Sequence, residues 1–299
     1  MASRTVGEGE RRARARRALE GLSVGDAFGE RFFGPPETVI PLIEARALAA
    51  PPWRYTDDTE MAISIVEELE ERGGVDADAL AVRFARRMDA SRGYGAGVFE
   101  ILSGVREGRP WRLLSRNAFR GMGSFGNGAA MRVAPIGGFF ADDLRRVARE
   151  AEASAEVTHA HAEGVAGAIA VAVAAALCAR SSEPSAPGFL ESVLEQVPRG
   201  YTRDGIEEAL ALPEGCHPLG AAKALGNGAG VTAPDTVPFC LWIVAHHLTA
   251  SWEEALWATV RALGDRDTTC AIVGGVLALR SGADGVPDAW RASREPLPL

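Results

Sequence analysis

The chain has 299 residues, a length that suits one large domain or two smaller ones. With 47% hydrophobic and 24% charged residues it has the composition of a globular protein with a sizeable core, which excludes the disordered and fibrous classes. Its 40 acidic and 32 basic side chains give a formal charge of −8, which argues against non-specific polyanion binding over the whole surface while leaving a local basic patch open.

The first residues, MASRTVGEGERR, lack the apolar core of a secretory signal. Arg11, Arg12, Arg14, Arg16 and Arg17 follow Glu8 and Glu10, and read as a solvated face of the first helix rather than a nucleic-acid arm. Apolar residues recur at three- and four-residue steps over 13–27, 59–71, 77–90, 96–107, 142–153, 163–180, 188–196, 203–212, 236–248, 252–263 and 268–280. Ala, Leu, Glu and Arg fill most of the remaining positions, so each of these segments is predicted to be a helix. Alternating β-branched runs are scarce, and the predicted fold class is all-α. Gly73-Gly74, Pro51-Pro52, 181–187 and 212–218 read as loops, none of linker length, which favours a single domain. The apolar run 164–179 is too short and too alanine-rich for a bilayer span. Cys178, Cys216, Cys240 and Cys270 show no CxxC spacing, so reduced thiols and a cytoplasmic setting are expected. Trp242, Trp252 and Trp257 read as core, and His246-His247 as a helix end.

Two distant segments match. Tyr55-Thr56-Asp57-Asp58-Thr59-Glu60-Met61-Ala62 and Gly264-Asp265-Arg266-Asp267-Thr268-Thr269-Cys270-Ala271 both contain Asp-Thr-x-x-Ala, with clustered acids just before an apolar helical run. One Asp in that place is an ordinary N-cap, favoured by the helix dipole. A cap accounts for one carboxylate per helix, and each segment offers two. Either the two starts are solvated caps, or they converge and four carboxylates share a small volume, repelling one another unless cations neutralise them. Carboxylates and threonine hydroxyls suit magnesium, manganese or calcium better than zinc. Four such acids could hold two ions about 3.5–4 Å apart. His159 and His161, two residues apart at a helix start, point to different sides, and no ligand spacing supports a zinc site there. The stretches 121–128 and 225–230 both contain Gly-Asn-Gly, which serves either turn formation or close backbone approach to a ligand.

These segments resemble the ADP-ribosylglycohydrolase family, which includes the dinitrogenase-reductase-activating glycohydrolases. The resemblance extends over about residues 18–282, leaving 1–17 as an arm and helix start and 283–299 as a C-terminal tail. It is carried, in order, by Gly21-Leu22-Ser23-Val24-Gly25-Asp26-Ala27-Phe28-Gly29, Thr56-Asp57-Asp58-Thr59, Gly123-Ser124-Phe125-Gly126-Asn127-Gly128-Ala129-Ala130-Met131-Arg132, Thr158-His159-Ala160-His161 and Gly264-Asp265-Arg266-Asp267-Thr268.

The resemblance implies a single compact, orthogonal all-α domain with two magnesium or manganese ions under an ADP-ribose cleft. Thr56, Asp57, Asp58, Asp265, Asp267 and Thr268 would be the metal ligands. Gly123, Ser124, Phe125, Gly126, Asn127 and Gly128 would lie along the diphosphate, their backbone amides and the Ser124 hydroxyl donating and Phe125 offering its ring. His159 would either contribute near the phosphate or ribose, or be an ordinary helix-start residue.

Two departures from the family's pattern stand out. Many members carry a glutamate where this chain has Phe33, and Glu30 directly follows Gly29 instead. If the first helix continues that far, positions 30 and 33 share a face and Glu30 reaches the cleft; if it has ended, Glu30 is a surface residue and catalysis rests on Asp57 or Asp58 with metal-bound water. The second is Arg266 between the two aspartates, either in solvent or meeting a phosphate.

The implied activity is hydrolysis of the glycosidic bond at ribose C1″ of an ADP-ribosylated protein side chain, nucleic acid or small molecule, with Glu30 or Asp57 as the catalytic carboxylate. The alternatives are an ADP-ribose-binding pseudoenzyme and a di-metal nucleotide phosphohydrolase. A monomer without membrane partners is expected, with nucleic acid only as a modified substrate.

Overall fold

The computed structural model describes residues 7–180, 185–280 and 285–298. Residues 1–6 of the expected arm, 181–184 of the expected loop, and 283–284 and 299 of the expected tail lie outside the described residues. The helices are α1 (Glu8–Glu30), α2 (Pro36–Glu44), α3 (Asp57–Arg72), α4 (Ala77–Arg87), α5 (Ala96–Arg106), α6 (Trp111–Gly121), α7 (Ala134–Phe139) and α8 (Leu144–Glu156). They continue with α9 (Ala162–Ala179), α10 (Ala186–Leu194), α11 (Tyr201–Ala211), α12 (Pro218–Leu225), α13 (Ala233–His246), α14 (Trp252–Val260), α15 (Arg266–Leu277) and α16 (Asp288–Ser293). Among the described residues there is no strand, only the isolated bridges Trp53–Arg294 and Gly126–Thr232. The all-α expectation holds, and each of the eleven expected helices is present with its ends shifted by a few residues.

The most extensive helix pairing joins α1 to α15. Gly21, Gly25 and Gly29 recur every four residues, which lines them along one face of α1. A Cβ on any of them would overlap a carbonyl oxygen of α15, those of Gly274, Cys270 and Arg266 respectively. Those partners are also four apart and run in reverse order, so the two helices lie antiparallel with backbone against backbone. The end of α1 is thereby seated beside the start of α15.

Asp26, fully buried one residue after this contact point, ties in a third helix. Its carboxylate accepts hydrogen bonds from Thr56 N (3.0 Å), Thr56 Oγ1 (2.9 Å), Thr59 N (3.1 Å) and Thr59 Oγ1 (2.5 Å). The start of α3 is thus pinned against the same end of α1. Burial pushes the Asp26 carboxyl up to about 6, against the opposing pull of the two threonines.

The chain enters α3 through 53–55, which the C-terminal segment holds from behind. Trp53 N donates to Ser293 O (2.6 Å), Glu295 N to Trp53 O (2.9 Å), and Tyr55 N to Glu295 Oε1 (3.0 Å). Arg92 bonds Glu295 and lies over the Tyr55 ring, 3.9 Å from its centroid. Phe28 of α1 stacks on Trp290 of α16 at 4.4 Å and meets Trp257 edge-on at 4.9 Å, completing an aromatic block under the α1 end. The tryptophans expected in the core, Trp242, Trp252 and Trp257, are buried.

Two expectations need correction. By length and composition α9 does qualify as a membrane span, yet 72% of its apolar window is buried within the protein, where it packs against α7, α8 and α13 as a core helix. Its alanines allow this closeness: a Cβ on Gly137 of α7 would overlap the Ala172 carbonyl oxygen. The arginine cluster of α1 is not wholly solvated either. Arg14 is buried and pairs with Asp142 at 2.7 Å, because the core-facing stripe of α1 passes through it.

Gly25→Ala offers a direct test of the helix contact. Intrinsic propensity favours alanine by about 1 kcal/mol, whereas the clash with the Cys270 backbone costs about 1–3 kcal/mol because neither backbone can yield locally. Thermal unfolding should show a lower midpoint, and an unchanged or higher one would refute the backbone-to-backbone seating. Asp26→Asn replaces an acceptor facing four donors with a group that also donates. Urea unfolding should register a loss of about 1.5–3 kcal/mol, and wild-type stability would refute the role assigned to Asp26.

Candidate active site

The two helix starts anchored by α1 open into one cleft of about 1010 Å³. Asp57 and Asp58 from α3, and Asp265, Asp267 and Thr268 from the start of α15, line it together. The aspartates are not spent on capping. Thr56 is the N-cap of α3, its hydroxyl accepting from Asp58 N at 3.4 Å, and Asp265 sits at the N-cap of α15 without a side-chain cap bond. Asp265 Oδ2 instead accepts from Asn127 Nδ2 at 2.7 Å, and Asp267 Oδ1 accepts from Thr268 N at 2.8 Å. Convergence, rather than two solvated caps, is what the fold provides.

Crowding follows. Asp57 is pushed up to about 7, first by burial and then by the charges of Asp26 and Asp265. Asp58 and Asp267 are held well above the usual carboxylate range, chiefly by burial, with Asp267 repelling Asp58 and Asp265 repelling Asp267. Asp58 Oδ1 is buried with no hydrogen-bond partner among the described residues, an expensive arrangement for a carboxylate oxygen. Among the described residues no three Asp, Glu, His or Cys side chains are arranged tightly enough to clasp an ion by themselves. The donor set is nonetheless all oxygen, and the orphaned Asp58 oxygen fits a hard divalent cation as its missing partner.

The glycine-rich loop forms the facing wall. Ser124, Phe125, Gly126, Asn127 and Gly128 line the cleft, while Gly123 and Thr56 lie beneath its surface. Gly123 has φ +74°, and a Cβ there would lie 2.7 Å from His161 N, so the loop passes directly over the start of α9. The expectation that the loop's amides act together as donors needs correction. Gly123 N donates to Ala118 O, Gly126 N to Ser124 Oγ, and Asn127 N to Val231 O, so these three are occupied. The Ser124 hydroxyl proton has no acceptor among the described residues and remains available.

The two Gly-Asn-Gly stretches differ in role. Asn127 reaches across to Asp265 and Thr236, whereas Asn227 braces the approach to Asp265, its carbonyl accepting from Asp265 N at 3.2 Å.

His159 is buried in the cleft wall, and burial pushes its imidazole down to about 3, with Arg132 adding to the effect. His161 turns away: its Nδ1 caps α9 by accepting from Glu163 N at 3.1 Å, and its ring lies 5.3 Å from that of Phe125. α5 and α6 add an apolar part of the lining, with Val98, Ile101, Leu113 and an exposed Phe119.

Of the two readings of Glu30 the structure takes the one without a shared helical face, and Arg266 follows neither of its two. α1 ends at Glu30, so Glu30 and Phe33 share no helical face. Glu30 is exposed and outside the lining, although partial burial, with Asp265 adding repulsion, raises its carboxyl. Arg266 meets neither solvent nor the cleft. It is buried, donates to Phe32 O at 2.9 Å and lies 5.0 Å over the Phe33 ring, because the first turn of α15 faces the α1 end there. Sequence reasoning also passed over Asp26, Arg132 and Phe119. Asp26 lies within the Gly21–Gly29 segment, flanked by glycines at the spacing that buries it, and Arg132 ends the segment that begins at Gly123.

Comparison with known proteins agrees with this geometry. The ADP-ribosylglycohydrolase family profile matches residues 8–296. ADP-ribosylhydrolase ARH3 of Homo sapiens is 28% identical over 277 residues, covering 81% of this chain and 74% of that protein. An uncharacterized protein of Archaeoglobus fulgidus is 31% identical over 289 residues, covering 92% and 89% respectively. A solved ADP-ribosylglycohydrolase-related protein complex shares the fold with a TM-score of 0.64 at 24% identity, over 96% of this chain and 94% of that one. The chain belongs to the ADP-ribosylglycohydrolase family of hydrolases.

Proposed function

We propose that the chain cleaves the glycosidic bond at ribose C1″ of an ADP-ribosylated substrate and releases ADP-ribose, using Mg²⁺ or Mn²⁺ held by Thr56, Asp57, Asp58, Asp265, Asp267 and Thr268. The observation that carries this reading is the meeting of two acidic helix starts in one cleft, with a buried Asp58 oxygen left unpartnered. Divalent cations bound there would offset the acids' repulsion and polarise the ribose hydroxyls. The remaining roles belong to the chain itself. The Ser124 hydroxyl and the His159 wall bind the diphosphate, and Phe125 and Phe119 offer ring faces to the adenine at the cleft mouth. Asp57 is assigned as the carboxylate that moves a proton at C1″, in preference to Glu30. It lines the cleft without a hydrogen-bond partner on another described residue, whereas Glu30 lies outside the lining. The linkage partner would lie beyond the ribose.

A panel of arginine-, serine- and nucleic-acid-linked ADP-ribose substrates, assayed with Mg²⁺, Mn²⁺ or EDTA, tests the reaction and the linkage together. Intact ADP-ribose is the expected product. AMP or phosphate would identify phosphoryl chemistry, and tight ADP-ribose binding with no release from any linkage would leave a binding function alone. Asp57→Asn should cut release by about a hundredfold or more while leaving the helical CD spectrum intact, and full activity would rule out the assignment. Either cation should also raise the unfolding midpoint, by about 2.7 kcal/mol of stability at a hundred times its Kd, and EDTA should reverse the gain. A midpoint indifferent to both ions would remove them from the site.

A further inference from the structure

Behind the cleft wall lies a buried chain of hydrogen bonds that joins segments distant in sequence. Arg132 is fully buried. Its Nη1 donates to Gly128 O at 3.0 Å, and its Nη2 donates to Ser154 O at 2.9 Å and to Thr158 Oγ1 at 3.0 Å. The guanidinium also lies 4.8 Å over the Phe84 ring, so α4, α8 and the glycine loop all hold it in place. Thr158 Oγ1 in turn lies 2.7 Å from His159 Nδ1.

Proton counting orients this chain. A guanidinium only donates, so Thr158 Oγ1 must accept from Arg132. Thr158 is fully buried, and its single hydroxyl proton finds one acceptor, His159 Nδ1. The opposite arrangement, Nδ1–H donating to Oγ1, would leave the buried hydroxyl proton without an acceptor among the described residues, which is the costlier state. Nδ1 is therefore the acceptor, and in the neutral ring Nε2 carries the proton. That edge faces the glycine loop: Nε2 lies 3.2 Å from where a Cβ on Gly126 would sit and 3.1 Å from where one on Gly128 would sit. Nε2 itself has no partner among the described residues, and both glycines line the cleft.

We infer that Arg132 and Thr158 are positioning residues that lock His159 in the Nε2–H tautomer, making it a fixed neutral donor to the substrate's diphosphate rather than a base or a metal ligand. The diphosphate part of this inference rests on the function proposed above. The tautomer lock does not. Burial of the ring beside a cation keeps it neutral, in agreement with the lowered value at His159. Glycine at 126 and 128 then has a second purpose, since a side chain at either position would crowd the donating edge.

The test uses the full chain labelled with ¹⁵N-histidine, in which five histidines give a readable spectrum. Thr158→Val removes the hydroxyl at nearly constant volume, and Thr158→Ser retains it. Long-range ¹H–¹⁵N spectra of the wild type and Thr158→Ser should show His159 protonated at Nε2 alone, while Thr158→Val should show the other tautomer or a mixture. Calorimetry with ADP-ribose in Mg²⁺ should find affinity lowered about tenfold to a hundredfold in Thr158→Val, the worth of a hydrogen bond to a charged group, and near wild type in Thr158→Ser. An unchanged tautomer in Thr158→Val would overturn the lock. A changed tautomer with unchanged ADP-ribose affinity would overturn the donor role. Wild-type protein that fails to bind ADP-ribose would overturn the proposed substrate and the diphosphate contact with it, while the spectra would still decide the lock.

Discussion

With no side chain at Gly21, Gly25 or Gly29, α1 lies directly on the carbonyls of α15, and the start of α15 is held beside the end of α1. Asp26, on the same stretch of α1, gathers the amides and hydroxyls of Thr56 and Thr59 and brings the start of α3 to that end. Two helix N-termini then open into one cleft, each carrying a pair of aspartates. Everything chemical about the site follows from how closely these three helices can approach.

That approach is costly. Buried carboxylates lose hydration, and neighbouring acids raise one another's proton affinity. The positive ends of α3 and α15 oppose this only in part, each dipole being worth about 0.3–1 kcal/mol to a nearby charge. The Asp58 oxygen without a partner marks where the protein has left the account open. A fold selected for stability alone would cap its helices with Thr56 and fill the space with apolar side chains. Retaining four aspartates there is an arrangement that cations would relieve.

The opposite wall is built on another logic. The loop at 123–128 commits three of its amides, to Ala118, Ser124 and Val231, while the Ser124 hydroxyl and the neighbouring His159 lie in the cleft lining. Arg132 stands behind the loop's end, tying the Gly128 carbonyl to Thr158. One wall is thus acidic and short of partners, and the other is neutral, donating and braced from within. A ligand with hydroxyls at one end and a diphosphate further along matches that polarity.

Much of this was legible in one dimension. Three- and four-residue spacing marked the eleven long helices, because an amphipathic stripe is a local property of the chain. The doubled aspartates also stood out, since a cap uses only one. Helices α2, α6, α7, α12 and α16 escaped notice: four are short, proline-led or glycine-bearing, and α6 carries non-helical backbone at Ala118, Phe119 and Arg120, with Phe119 in the cleft lining. Which way a charged side chain turns was not legible. Arg14 reads as surface and is buried on Asp142, and Arg266 reads as a cation for the cleft and is packed on Phe32 and Phe33. Residue order alone determined the helices and which acids crowd at their starts, because periodicity and local chemistry are written within a few neighbours. Only the tertiary structure decided that the two starts meet, that Arg266 packs on Phe32 and Phe33 and that Arg132 reaches Gly128, Ser154 and Thr158, because those depend on contacts between segments tens to hundreds of residues apart.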